Sequence, residues 1–220
     1  MQKNVLLLFI FFCFASLGFP ATLGLGLSNV DGFEMSVGAD GLEIGLGYPR
    51  LKLQTSAGFL GIYNLESDAA VNMESPATDS HLVVSFGGRF GSINPCVGVG
   101  VELMEPAEVA TNVSEVGRFF VRARCTFRLH RIDLEVMWDR YVYSMLQTDE
   151  GYVFNYFKIN DSPVSGNRVT FTIHLSFPFN RGSVVLGLGY VFKAGWIRSI
   201  EQVGYSIDRF LLSFTVFRDF

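Results

Sequence analysis

The chain has 220 residues, of which 49% are hydrophobic, 15% aromatic and only 17% charged, with 23 glycines and 22 phenylalanines. That length suits one domain, so little charge excludes a disordered chain, and so much glycine and phenylalanine argues against a helical one. A formal charge of −4 excludes the basic surface that a nucleic-acid partner requires.

The N-terminus reads as a secretory signal. Lys3 supplies positive charge, Val5 to Ala15 is an unbroken apolar run, and Ser16 and Gly18 place small residues at −3 and −1 of a cleavage site before Phe19. Ala21 is a later alternative, and Phe12 before Cys13 fits a lipidation site poorly. The domain plan is therefore a signal peptide over residues 1–18 and one β domain over 19–220. The apolar run is shorter than the about 20 residues a membrane-crossing helix needs, and no later stretch approaches that length. An exported chain of this kind is either a soluble β-protein or a closed membrane barrel.

Leu23, Leu25 and Leu27 share one face of a segment over Ala21 to Ser28, read as an arm or a bent extension. Phe33, Met35, Val37 and Ala39 alternate up to Asp40-Gly41, and Leu42, Ile44, Leu46 and Tyr48 alternate after it, which predicts a hairpin. Leu51 to about Tyr63 reads as one strand, followed by an acidic loop over Glu66 to Ser80. Leu82 to Phe90 and Val97 to Leu103 follow as a pair of strands, then a second acidic loop from Glu105 to Val116. Two long strands meet at His130-Arg131, and a long loop covers Gln147 to Gly166. Val169 to Phe177, Val184 to Phe192 and Phe210 to Phe220 complete the set.

From Leu51 onward, short turns alternate with long loops, as in transmembrane barrels with short periplasmic turns and longer extracellular loops. Several strands alternate apolar residues with glycine, as in Leu186-Gly-Leu-Gly-Tyr190, and inward glycine makes room for a large residue opposite. Outer-face aromatics gather into two belts. Phe33, Tyr48, Phe90, Phe177 and Phe220 are expected on the short-turn side, and Phe59, Phe119 and Phe192 on the loop side. The expected fold is all-β, a closed antiparallel up-and-down transmembrane barrel of about ten strands, with eight as the alternative.

The last strand, FLLSFTVFRDF, alternates Phe210, Leu212, Phe214, Val216 and Phe220 on one face, with Arg218 as the exception. It resembles the closing strand of bacterial outer-membrane barrels, and in size and loop asymmetry the chain is similar to OmpA-, OmpX- and OmpW-type small barrels. The resemblance implies the outer membrane of a diderm bacterium, with membrane lipids and lipopolysaccharide as surroundings. It also implies recognition by the barrel assembly machinery through Phe220, Val216, Phe214 and Leu212.

Inward parity carries Arg118, Arg122, Arg124 and Arg128 on one long strand and Asp133, Glu135 and Asp139 on its partner. A two-residue turn sets Arg128 opposite Asp133 and Arg122 opposite Asp139, with Arg124 diagonal to Glu135 and Asp139. Arg89, Glu102, Arg168 and Lys193 share that parity. One reading is a charge ladder that closes the lumen and leaves a structural or surface-interaction role to the acidic loops. The alternative is an arginine-lined narrow channel for small solutes.

His174 and Ser176 resemble the His-x-Ser pair of outer-membrane lipid A deacylases, but that pair faces lipid and here both residues point inward. A lipid-modifying enzyme therefore ranks last, and no catalytic residue is assigned. The three histidines are scattered without metal-ligand spacing, and neither a cofactor nor a metal is expected. Cys96 and Cys125 have opposite parity, which predicts two free thiols.

Overall fold

The computed structural model describes residues 21–29, 32–39, 42–47, 50–72, 80–104, 113–148, 151–155, 158–159, 162–163, 167–194 and 208–219. The expected signal peptide, the segments 73–79, 105–112 and 195–207, and Phe220 lie outside them.

The strands run in the order β1 (Ala21–Ser28), β2 (Gly32–Ala39), β3 (Leu42–Gly47), β4 (Arg50–Phe59), β5 (Tyr63–Asn72), β6 (Ser80–Gly88), β7 (Ile93–Met104), β8 (Val113–Leu129) and β9 (Ile132–Thr148). Three short pieces follow, β10 (Gly151–Asn155), β11 (Lys158–Ile159) and β12 (Ser162–Pro163). The chain then returns to the wall with β13 (Asn167–Phe179), β14 (Gly182–Ala194) and β15 (Asp208–Asp219). Each wall strand pairs antiparallel with the next in sequence, β9 pairs with β13, and β15 pairs with β1. The result is a closed up-and-down barrel of 12 strands. Closure leaves no strand edge in the wall, which satisfies every ladder without a covering element. β10 folds back on the upper end of β9, beyond its pairing with β13.

The count of 12 corrects the expected ten, and both missing strands have a physical reason. β1 is a full wall strand rather than an arm; it pairs with β15 from Thr22↔Asp219 to Ser28↔Ser213 and seals the barrel. The stretch from Leu51 to Tyr63 is a strand, a turn and the start of another strand. Leu60 and Gly61 take left-handed φ values of 52° and 71°, so the chain reverses on a Leu-Gly pair where a hairpin usually has Asn-Gly or Asp-Gly. The first seven residues of the acidic segment expected as a loop, 66–72, belong to β5, whose Leu65 and Val71 face outward while Glu66 and Asp68 face inward.

The extra strand also reverses part of the expected aromatic belts. Phe33 lies beside Leu27 on the side of the long loops. Phe59 lies on the short-turn side, its ring 5.7 Å from Tyr63 and 5.8 Å from Phe86. Tyr48 lies outside the described residues. Two connections on the long-loop side, at residues 29–31 and 48–49, are as short as turns, so the length asymmetry begins only after β4.

Side-chain polarity is inverted relative to a soluble barrel. Large apolar residues such as Val97, Val99, Leu188 and Phe214 are exposed on the outer face, whereas Glu102, Arg118 and Asp139 are among the buried ones. Arg218 is exposed on the outer parity, opposite Gly182 at the short-turn end. Cys96 and Cys125 are free, Cys96 buried on the lumen face and Cys125 on the opposite face of the neighbouring strand.

Candidate functional site

The lumen has two unlike walls. One is built from β7, β8, β9 and β13, where long charged and aromatic side chains face inward. Glycine on β7 makes this possible, because a Cβ at Gly100 would run into the ring of Phe120. The Phe120 ring packs against Tyr141 with centroids 5.4 Å apart and planes tilted by 50°, and both are almost fully buried. Tyr141 faces inward in the same register as Asp139, Phe120 pairing with Tyr141 as Arg122 does with Asp139; the register shifts only beyond it, where Phe119 pairs with Tyr143 and Val142 is an extra residue in β9.

Around these two rings the charges interlock. Asp139, 0% exposed, accepts from Arg122 Nε and Nη2 at 2.7 and 3.0 Å and from Arg168 Nε and Nη2 at 2.9 and 2.6 Å. Arg168 Nη1 also donates to Glu102 Oε2 at 3.1 Å, and Glu102 is bound in turn by Arg118. The guanidinium of Arg118 lies 4.5 Å from the centre of the Tyr141 ring, and that of Arg122 lies 5.2 Å from Phe120. Burying charges is costly unless each keeps partners, and here one carboxylate serves two arginines while ring faces cover the remaining cation surface.

Towards the short-turn end the lumen widens into a cavity of about 660 Å³. Arg124 crosses over the small residues of β7 and β6 to bind Glu66 on β5, and its Nε lies 3.9 Å from Glu135. Arg128 and Asp133 face each other at the mouth, 3.7 Å apart, with side chains 51% and 39% exposed. His174 also lines the cavity, as does Arg89 in the turn after β6. Ser176 shares the inward parity of His174, and Asp133 lies opposite His174 on β9.

The second wall is β3 to β5 with β2. Along β4 the inward residues are Lys52, Gln54, Ser56 and Gly58, and the last three are exposed although they face the lumen. These side chains are short, and nothing long from the opposite wall reaches them among the described residues. Gln54 Nε2 donates to Asp68 Oδ1 at 3.4 Å, His81 Nε2 lies 3.3 Å from Asp68 Oδ2, and Lys52 Nζ donates to Glu34 Oε2 at 2.7 Å. Water thus reaches the inner face of β4 from Gln54, midway along the strand, to its short-turn end.

The seven expected network residues, Arg118, Arg122, Arg124, Arg128, Asp133, Glu135 and Asp139, all face the lumen but divide into two groups. Arg118, Arg122 and Asp139 belong to the buried cluster, and the other four line the cavity. Arg124 makes its contacts with Glu66 and Glu135, and none with Asp139. Glu66 and Asp68 escaped notice as lumen residues because β5 was read as loop, although Leu65 and Val71 alternate with them. Phe120 and Tyr141 share the inward parity of Arg118, Arg122 and Asp139, so the alternation that placed those charges also carried the signal for the two rings. Of the closing-strand residues, Leu212, Phe214 and Val216 face outward, and Phe220 lies outside the described residues.

No protein-family model matches the chain, and no characterised protein matches it in sequence. The chain is similar in structure to one solved in work on the mechanism of in-meso crystallization of membrane proteins, with a TM-score of 0.53 and 11% identity. The match covers 91% of this chain and 84% of that one. The likeness is one of fold, and together with the closed 12-strand antiparallel barrel it fits a membrane β-barrel.

Proposed function

We propose that the chain is an outer-membrane barrel of a diderm bacterium, carrying a narrow water-filled passage for small solutes along β4. The observation that carries this reading is the exposure of Gln54, Ser56 and Gly58 on the lumen face of one strand. Barrel diameter grows with strand number, and 12 strands enclose more room than the side chains of one wall fill. The exposed apolar outer face suits lipid, and the polar lumen suits water. Lipopolysaccharide and the barrel assembly machinery are the partners this location implies.

A second reading is a barrel without transport, acting through its surface loops. The buried cluster around Asp139 favours it, since that cluster closes its own half of the lumen. The loops that would act lie largely outside the described residues. A lipid-modifying activity stands last, and loss of lipid A deacylation on His174→Ala would be needed to raise it.

Planar-bilayer recording separates the two leading readings. The channel reading predicts steady single-channel steps from the purified barrel. A folded protein, certified by heat-modifiable migration, that inserts without producing steps would leave the loop-borne role.

A further inference from the structure

We infer that the passage along β4 favours small cations, with Asp68 as the residue that sets the preference. This rests on the channel reading and adds to it the class of solute. The inner faces of β2 to β5 present four carboxylates, Glu34, Glu43, Glu66 and Asp68, against Lys52 and, at the loop-side end, Arg50.

Two of these carboxylates have cationic partners, Glu34 in Lys52 and Glu66 in Arg124. Asp68 is different. Its hydrogen-bonding neighbours are Gln54 and His81, neither a permanent cation, and its side chain is 38% exposed. It sits opposite Gln54, midway along β4.

The filled wall holds three arginines, Arg118, Arg122 and Arg168, against Glu102 and Asp139, one positive charge in excess. Those arginines are turned towards their carboxylates and the rings of Phe120 and Tyr141, with side chains only 3%, 11% and 20% exposed. At the level of Asp68 the acid that meets water is therefore on the β4 side and Arg118, Arg122 and Arg168 are held in the opposite wall, whereas at the short-turn mouth the exposed Arg128 is balanced by Asp133. A carboxylate about 4 Å from a passing monovalent ion in water changes its local concentration about fivefold, upward for cations and downward for anions. A ring of carboxylates is unnecessary when the passage is eccentric and runs past one acidic wall.

The test is reversal potential in planar bilayers under a KCl gradient, using the full refolded barrel. The wild type is expected to prefer K⁺ over Cl⁻. Asp68→Asn should lower the K⁺ to Cl⁻ permeability ratio about 25-fold while steps persist, a fivefold loss for the cation and a fivefold gain for the anion. Gln54→Arg, which keeps the Asp68 carboxylate but sets a cation beside it in place of the amide that bonds it, should move the preference towards Cl⁻. Folding of each variant is checked by heat-modifiable migration, and either variant alone suffices if the other fails to fold. A wild-type preference for Cl⁻, or reversal potentials unmoved by the substitutions, would overturn the inference and leave the channel standing. Absence of steps in the wild type would overturn the channel reading and the inference with it.

Discussion

The two walls of this lumen are made from the same alternation, yet one excludes water and the other admits it. On β8 and β9 nearly every inward position carries an arginine, an acid or an aromatic ring, and the arginines find partners one to three strands away. On β4 the inward positions are Lys52, Gln54, Ser56 and Gly58. The difference lies in reach. Arg168 extends from β13 to Glu102 on β7, and Arg124 from β8 to Glu66 on β5, whereas serine and glycine cannot leave their own strand. Strand number fixes how much space must be filled, and side-chain length on each wall decides where it stays open.

Within the charged wall a second contrast decides energies. Asp139 is fully buried and shared by two arginines, while Asp133 meets Arg128 at the half-exposed cavity mouth. The largest effect is therefore expected from Asp139→Asn. It leaves Arg122 and Arg168 desolvated without their common anion, a loss of about 3–5 kcal/mol, read as a lower urea midpoint for the barrel in lipid vesicles. A midpoint like that of the wild type would mean that water reaches the cluster.

Next comes Gly100→Val, which pushes a branched side chain into the space of the Phe120 ring. Overpacking of this kind costs about 1–3 kcal/mol by the same assay. Ser56→Val, on the open wall, has no ring to displace and should leave the midpoint nearly unchanged. Equal losses at the two positions would erase the distinction between the walls.

Glu66→Gln is smaller again, because Arg124 keeps Glu135 nearby. About 1 kcal/mol is expected. Asp133→Asn is last, at about 0.5 kcal/mol or less, and its effect should fade with added salt, since an exposed pair is screened. A loss at Asp133 matching that at Asp139 would show that the mouth is not open to solvent.

Much of this arrangement was legible in the sequence. The inward parity of Arg122 and Asp139 and their facing register follow from period-two alternation and a two-residue turn at His130-Arg131. That turn needs a left-handed residue, and His130 supplies it at φ 56°. The strand count failed where the turn chemistry was unusual. Leu60-Gly61 reverses the chain inside an apolar stretch, so β4 and β5 merged into one strand. Removing one strand then made β1 look like an odd eleventh, and so its clear Leu-Gly alternation was set aside. The two errors were one error, and it carried Phe33 and Phe59 to the wrong sides. Contacts such as Arg124 with Glu66 depend on barrel curvature and on which intervening side chains are small. Neighbour-strand parity does not contain them.

The contrast between the walls is tested most directly by thiol accessibility in the folded barrel. With Cys96 and Cys125 replaced by serine, single cysteines at Gln54 and Ser56 on β4 and at Thr170 on β13 are exposed to a charged, water-borne methanethiosulfonate reagent. Gln54→Cys and Ser56→Cys should react quickly and Thr170→Cys, a buried lumen position, slowly. Equal slow rates at all three would contradict the passage along β4, and equal fast rates would contradict the closed wall opposite it.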